Sequence, residues 1–467
     1  MIKELRNRLD KRSIGAVELT KEYLSRIEKS DLNSYITVCT ESAIKTAEKA
    51  QQLIDEGRQS PLTGIPMSIK DNICTADIKT TCASKMLSDF VPVYDAAAVS
   101  RLKNQGAVIL GKTNMDEFGM GGSSQTSYFG GVKNPHNKDC TAGGSSGGAA
   151  AAVSADLCAG ALGSDTGGSV RQPASFCGVC GLKPTYGAVS RYGLVAFASS
   201  LEQIGTIAKS AYDCACIFNQ ISGLDKNDAT THTADDATAL VGTSIKGMTI
   251  GIPKEFFADG IDDEVKEKVM AMADAYRQMG CILIDVSLPS LEYAVAAYYL
   301  ISSAEAASNL SRFDGIRFGH CSDKGDSYNE RIMNTRAEGF GDEVKRRIML
   351  GNYALSHGYY DEYYKKAMQI RTRICAEYDS IFEKCDVILT PTAPTTAYKI
   401  GTQENNLTKM YLADICTVPV NLAGLPAVSV MCGFDKNNMP VGASLVGRKF
   451  DEKTIIALAD RYEEETR

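Results

Sequence analysis

The chain has 467 residues, with 50 Lys and Arg against 57 Asp and Glu, so it carries a formal net charge of −7. Its 44% apolar and 23% charged content is ordinary for a globular protein and argues against disordered, collagen-like or coiled-coil classes. A net negative chain without a long basic run offers nucleic acid no general electrostatic footing, so any RNA is expected to be held mainly by something else.

No run of about 20 apolar residues is present, so no membrane span is expected. The start, Met1 to Arg6, lacks the apolar centre of an export signal. Fifteen scattered cysteines, an odd number, then suggest free thiols and a cytoplasmic location. The length exceeds the roughly 250–300 residues at which single cores usually stop growing. No segment has linker character, however, and one large domain over 1–467 is expected.

In chain order, residues 1–60 read as a helical segment packed on that domain. Val17, Leu19, Tyr23, Leu24 and Ile27 recur at helical spacing over Ala16–Lys29, and Ile44–Ile54 continues in the same way. Gly64–Lys70 reads as a strand running into a loop, Ala96–Lys103 as a helix and Ala107–Leu110 as a strand. Residues 119–148 are dense in Gly, Ser, Thr and Asn. A loop of that length between firm elements is expected to be functional. Ala149–Leu162 reads as a small-residue helix. Met248–Ile252, Asp263–Gly280 and Cys281–Val286 repeat a strand–helix–strand rhythm, and residues 291–383 are mainly helical. Asp386–Leu389, Ala427–Met431 and Val441–Val446 are late strands, the last two joined around Asp435–Asn438, and Glu452–Glu465 is a closing helix. The alternation predicts an α/β fold with a buried mixed sheet covered by helices on both faces.

Gly106–Thr113 matches the phosphate-loop expression G-x-x-x-x-G-K-[ST] letter for letter. That motif needs a flexible loop whose N–H groups wrap phosphate. Val, Ile and Leu between the glycines prefer a strand, so no nucleotide site is expected there. Cys177–Cys180 is the only Cys-x-x-Cys pair and has no second pair at zinc-like spacing, and the four histidines are scattered. Neither a metal nor a cofactor is expected.

The glycine-rich region is different. Gly143-Gly144-Ser145 and Gly167-Gly168-Ser169 repeat one pattern, and Lys70 stands alone upstream in Ser68-Ile69-Lys70-Asp71. Serine needs a base, and a buried lysine of depressed pKa can serve where histidine is scarce. The glycines free backbone N–H groups to meet a developing oxyanion.

These residues resemble the amidase signature family. Gly64–Asn72, Gly143–Gly148, Gly163–Pro173 and Gly178–Pro184 follow the family's order, with the three candidates 75 and 24 residues apart. The resemblance implies that Ser169 is the nucleophile, that Ser145, in a cis Gly144–Ser145 peptide, relays its proton, and that Lys70 is the final base. It also implies an oxyanion hole at the backbone of Thr166, Gly167, Gly168 and Ser169. Asn114–Phe118, Thr185–Gly205, Ser308–Gly315, Val344–Gly351 and Thr417–Pro426 are similar to the family of A subunits of glutamyl-tRNA(Gln) amidotransferases. That resemblance implies a glutaminase in a heterotrimer with B and C subunits. Glu-tRNA(Gln) is then bound mainly through the partner, which receives the ammonia and uses ATP and Mg. It puts Arg347 on the α-carboxylate of glutamine, with Arg346 as neighbouring candidate, and Asp414 on the ammonium beside Tyr298. The 291–383 region becomes a helical insertion lining the substrate pocket. Ala142, Ala149 and Thr206 depart from the family's usual Pro, Ser and Pro, away from the trio. A stand-alone amidase acting on small aryl, peptide or fatty-acid amides is the alternative reading.

Overall fold

A computed structural model describes residues 1–258, 260–402 and 411–466. One eleven-stranded mixed sheet organises the chain. Its strands are β1 (Tyr35–Val38), β2 (Pro66–Lys70), β3 (Val108–Thr113), β4 (Gly160–Asp165), β5 (Cys180–Lys183) and β6 (Gln203–Ala208). The second half supplies β7 (Thr249–Pro253), β8 (Ile282–Val286), β9 (Val387–Pro391), β10 (Ala427–Phe434) and β11 (Pro440–Val446). They lie in the order β1-β3-β2-β4-β6-β5-β10-β11-β9-β7-β8. The triple β3-β2-β4 is parallel, as is β9-β7-β8, and the strands between them are antiparallel.

Every residue of β2, β3, β4, β5, β6, β9 and β11 is buried, as expected of strands covered on both faces. The N-terminal helices are α1 (Ile2–Asp10), α2 (Ala16–Glu28), α3 (Thr40–Asp55) and α4 (Ala97–Asn104). Over the central strands, α5 (Gly147–Ser154) and α6 (Arg171–Phe176) pack together, while α7 (Ala211–Ile221) packs with α4. Further along, α8 (Asp263–Gln278) lies over the β9–β11 region. A helical layer then follows: α9 (Leu291–Asn309), α10 (Tyr328–Gly339), α11 (Asp342–Leu355) and α12 (Lys366–Phe382). Short α13 (Val418–Ala423) and α14 (Glu452–Thr466) complete the set. Among the described residues no helix is long and apolar enough to cross a membrane.

Two sequence expectations fail locally. The small-residue run 149–162 is not one helix. α5 stops at Ser154, Asp156 takes a positive φ of 55°, and Gly160–Asp165 becomes β4 in the middle of the sheet. Its small residues serve close packing: a Cβ at Gly160 would lie 2.6 Å from Ile217 Cδ1, and one at Gly163 would lie 2.8 Å from Val170 Cγ2. Within residues 1–60, Tyr35–Val38 is a strand rather than helix and pairs antiparallel with β3 at the sheet's edge. The C-terminal hairpin forms as expected, its turn held by Asp435 Oδ1 accepting the N–H groups of Asn437 and Met439, both at 2.8 Å.

Candidate active site

Lys70 is the last residue of β2 and is fully buried. Its parallel neighbour β4 ends beside it, and the loops leaving the two strands build the site. Lys70 Nζ donates to Ser145 Oγ at 2.7 Å and to the Ser164 carbonyl at 3.2 Å. Burial pulls the lysine down to about 7, against the opposing pull of Asp116 and Asp165, so near neutrality much of it is an unprotonated amine.

Ser145 lies in the loop before α5, and its peptide bond with Gly144 is cis. Asp116 N–H donates to the Ser145 carbonyl at 3.2 Å. The Asp116 carboxylate in turn accepts Ser124 N–H at 2.8 Å and the Thr126 hydroxyl at 2.9 Å. Gln172 Oε1 accepts Gly144 N–H at 2.9 Å.

Ser169 ends the turn between β4 and α6. Its carbonyl accepts Ser146 N–H at 3.1 Å, so the loops carrying the two serines are tied together. The Ser169 hydroxyl makes no hydrogen bond among the described residues, and the side chain is 8% exposed. The structure thus links Lys70 to Ser145 directly and ties the Ser145 loop to the Ser169 turn through Ser146 N–H.

The oxyanion expectation needs one correction. Gly168 N–H already donates to Asp165 Oδ1 at 2.8 Å, so it is not an available donor. The N–H groups of Thr166, Gly167 and Ser169 donate to no acceptor among the described residues.

Asp165 is the organiser of this turn, a role that its residue type does not announce in sequence. Its carboxylate receives Gly168 and Val170 N–H and a two-pronged contact from Arg171, Nε to Oδ2 and Nη2 to Oδ1, each at 3.0 Å. Asn421 Nδ2 adds a bond of 2.9 Å from α13. Burial opposes this charge, but the Arg171 guanidinium holds the Asp165 carboxyl well below the usual carboxylate range. Asp165 and Arg171 stand in the motif segment itself, yet their partner Asn421 is 256 and 250 residues on. Thr417, just before α13, donates its hydroxyl to the Gly167 carbonyl at 2.6 Å.

The expected recognition residues gather from α9, α11 and the segment before α13. Arg347, on α11, is 3% exposed, with Nε donating to Glu343 Oε1 at 2.6 Å. Its guanidinium carbon stands 4.4 Å from the Tyr299 ring centre, 5.4 Å from that of Tyr411 and 6.0 Å from that of Phe197. Arg346 also pairs with Glu343, but its side chain is 42% exposed, so of the two arginines Arg347 faces the interior. Asp414 accepts the Tyr299 hydroxyl at 2.7 Å, and burial pushes its carboxyl up to about 6. Tyr298 has a different place. Its ring lies against the nucleophile turn, where a Cβ on Gly167 would come 2.5 Å from Cζ. Tyr299 is therefore the direct neighbour of both Arg347 and Asp414, a distinction that adjacent residues on one helix do not reveal in sequence.

The phosphate-loop match lies in β3. Lys112 is fully buried, its ammonium donating to the Ile73 carbonyl at 2.8 Å and the Thr80 hydroxyl at 2.6 Å, with Asp71 3.7 Å away. It is a structural ion-pair lysine. Cys177 and Cys180 are buried free thiols. No group of three or more His, Cys, Asp or Glu placed to hold a metal occurs among the described residues.

Comparison with known proteins finds relatives over nearly the whole chain. A family model described as Amidase matches residues 18–456. The A subunit of a glutamyl-tRNA(Gln) amidotransferase from Ruminiclostridium cellulolyticum is 55% identical over 99% of this chain and 96% of its own. The crystal structure of the corresponding protein from Thermotoga maritima superposes with a TM-score of 0.80 at 42% identity, covering 95% of this chain and 90% of that one. The native peptide amidase of Stenotrophomonas maltophilia is similar in fold, with a TM-score of 0.83 at 28% identity over 100% of this chain and 96% of its own.

Proposed function

The chain belongs to the amidase family, close to the A subunits of glutamyl-tRNA(Gln) amidotransferases, and on that premise we propose that it hydrolyses glutamine to supply ammonia for Glu-tRNA(Gln) amidation. The observation that carries this reading is the convergence of a buried guanidinium and a carboxylate on one tyrosine, Tyr299, whose neighbour Tyr298 lies against the nucleophile turn. Arg347 offers its free guanidinium edge to an α-carboxylate, Asp414 accepts an α-ammonium, and Tyr299 holds Asp414 in place. A general amidase pocket has no need of a zwitterion clamp.

The chemistry then runs through the trio. The Lys70 amine takes the Ser145 proton as Ser145 takes that of Ser169, and Ser169 Oγ bonds to the carboxamide carbon. The carbonyl electron pair moves to oxygen, which the N–H groups of Thr166, Gly167 and Ser169 receive. Collapse of this intermediate breaks the C–N bond, and the leaving nitrogen takes a proton from Lys70 through Ser145. Ammonia departs, leaving a γ-glutamyl ester on Ser169. Water attacks that ester by the same proton route and releases glutamate. The ammonia passes to partner B and C subunits, which hold the tRNA and use ATP and Mg, in keeping with the acidic charge of this chain.

The test is amidation of Glu-tRNA(Gln) by the chain co-purified with its neighbouring subunits, with glutamine or ammonium as nitrogen donor. Ser169→Ala should abolish glutamine use and retain ammonium use. Arg347→Ala should raise the KM for glutamine. Glutamine hydrolysis surviving in Ser169→Ala, or an Arg347→Ala enzyme with unaltered KM, would rule the assignment out.

A further inference from the structure

The clamp helix α11 begins at a junction that reaches back to the catalytic loops. Glu117, 3% exposed, follows Asp116, whose N–H holds the Ser145 carbonyl. The Glu117 carboxylate points the other way. Its Oε2 accepts Gly341 N–H at 2.8 Å, and its Oε1 accepts the Ser84 hydroxyl. Ser84 Oγ also lies 3.2 Å from the Gly339 carbonyl, at the end of α10. Gly341 caps the N-terminus of α11, and any Cβ there would collide with Glu117 Oε2. The next residue, Phe118, packs its ring 5.6 Å from that of Phe340 and 5.3 Å from that of Phe313. Three consecutive residues therefore touch the relay serine with one member and the α10–α11 junction with the other two.

We propose that Glu117 is a positioning residue for substrate binding: it seats the N-terminus of α11 on the Asp116 loop and thereby sets where Arg347 stands over Ser169. Arg347 lies six residues beyond Gly341, about 9 Å along the helix axis, so a tilt or slip at the cap carries directly to its guanidinium. Glu343 in the first turn of α11 fixes Arg347 within the helix, through Nε at 2.6 Å, but nothing in that pair fixes the helix against the catalytic loops. Glu117 supplies that second constraint. A carboxylate at a helix N-terminus is also the favourable sign for the helix dipole. Burial pushes the Glu117 carboxyl up to about 7, while the hydrogen bonds from the Ser84 hydroxyl and Gly341 N–H favour its ionised form.

The proposal rests on the reading of Arg347 as the glutamine clamp, and the test separates the two. In the complex with its partner subunits, glutamine kinetics are compared for wild type, Arg347→Ala, Glu117→Ala, Glu117→Gln and Ser84→Ala. A raised KM in Arg347→Ala establishes the clamp. Glu117→Ala is then expected to raise the KM for glutamine about tenfold, with kcat within about threefold of wild type, the loss of one buried hydrogen bond spent on binding geometry. Glu117→Gln, whose amide oxygen still accepts Gly341 N–H, should recover most of that KM. Should Glu117→Ala fail to fold, Ser84→Ala carries the test with a smaller rise of the same kind. An unaltered KM in both Glu117→Ala and Ser84→Ala, or a fall in kcat at constant KM, overturns the proposal while leaving the clamp standing. A wild type that does not hydrolyse glutamine removes both.

Discussion

A lysine buried against one serine hydroxyl and one carbonyl is a base only if its proton leaves near neutral pH. Burial pulls Lys70 from an ordinary 10.5 to about 7, which puts the exchange inside the working range. The amine is the active form, so its fraction rises as pH climbs through about 7. Asp414 must be ionised to receive an ammonium, and its carboxyl sits at about 6. Both requirements point the same way. A profile of kcat/KM for glutamine should therefore climb between pH 6 and 8 on a limb governed by about 7, with Asp414 steepening its acid end. The measurement is initial-rate glutaminase activity across that range in constant ionic strength. A flat profile, or one falling over this interval, would mean that Lys70 is not the base. The same residue shows what sequence can carry. Lys70, Ser145 and Ser169 stand out in sequence as a lone lysine and two Gly-Gly-Ser repeats, and their separate roles follow only from the family resemblance. That Gly168 N–H is taken by Asp165 is a matter of the turn's fold, which residue type does not encode.

At the scale of elements, the nucleophile turn is held by a contact between β4, α6 and α13. Asp165 and Arg171 are both fully buried, and each would be an uncompensated charge without the other. Breaking one partner of such a pair costs about 3–5 kcal/mol, mostly from the orphaned charge. Arg171→Met should lower the free energy of unfolding by an amount of that order, read as a lower urea midpoint at unchanged slope. It should also reduce glutaminase activity, because Gly168 and Val170 N–H depend on the same carboxylate. Arg171→Met with wild-type stability would show that the remaining bonds from Asn421 and the backbone suffice. Neither this pairing nor β4 itself was legible in sequence. Amphipathic helices such as α2 and α8 announce themselves by periodic apolar residues. A central strand of Gly, Ala, Leu and Ser ending in Asp has no alternation to read, because all of its residues are buried. The strand β1 was hidden differently, as four residues between two strongly periodic helices.

The whole molecule is bound together by strand order rather than by linkers. β5, from residues 180–183, pairs with β10, from residues 427–434, so the sheet's first six strands in sequence join its last five through one antiparallel seam. α6 packs under β10 and β11, and Arg171 crosses to the Thr417 carbonyl and to Asn421. A cut anywhere between β6 and β7 would leave β5 and β10 each with an unpaired edge in the middle of a buried sheet. It would also strip the nucleophile turn of its α13 supports, and an exposed long edge invites aggregation. Neither half then has a closed core of its own, although each is large enough to hold one. Equilibrium unfolding in urea should accordingly show one transition, with far-ultraviolet circular dichroism and tyrosine fluorescence superimposing. Tyrosine serves as the probe because the chain has 21 tyrosines and no tryptophan. Tyrosines in α2, α8, α9 and α12 report from separate regions of the sheet's cover, so coincidence would be a test of the entire assembly. Two separated transitions, or a protease-resistant fragment ending between residues 222 and 248, would show that the halves fold independently. The β5–β10 seam would then be a docking surface between two domains rather than the middle of one core.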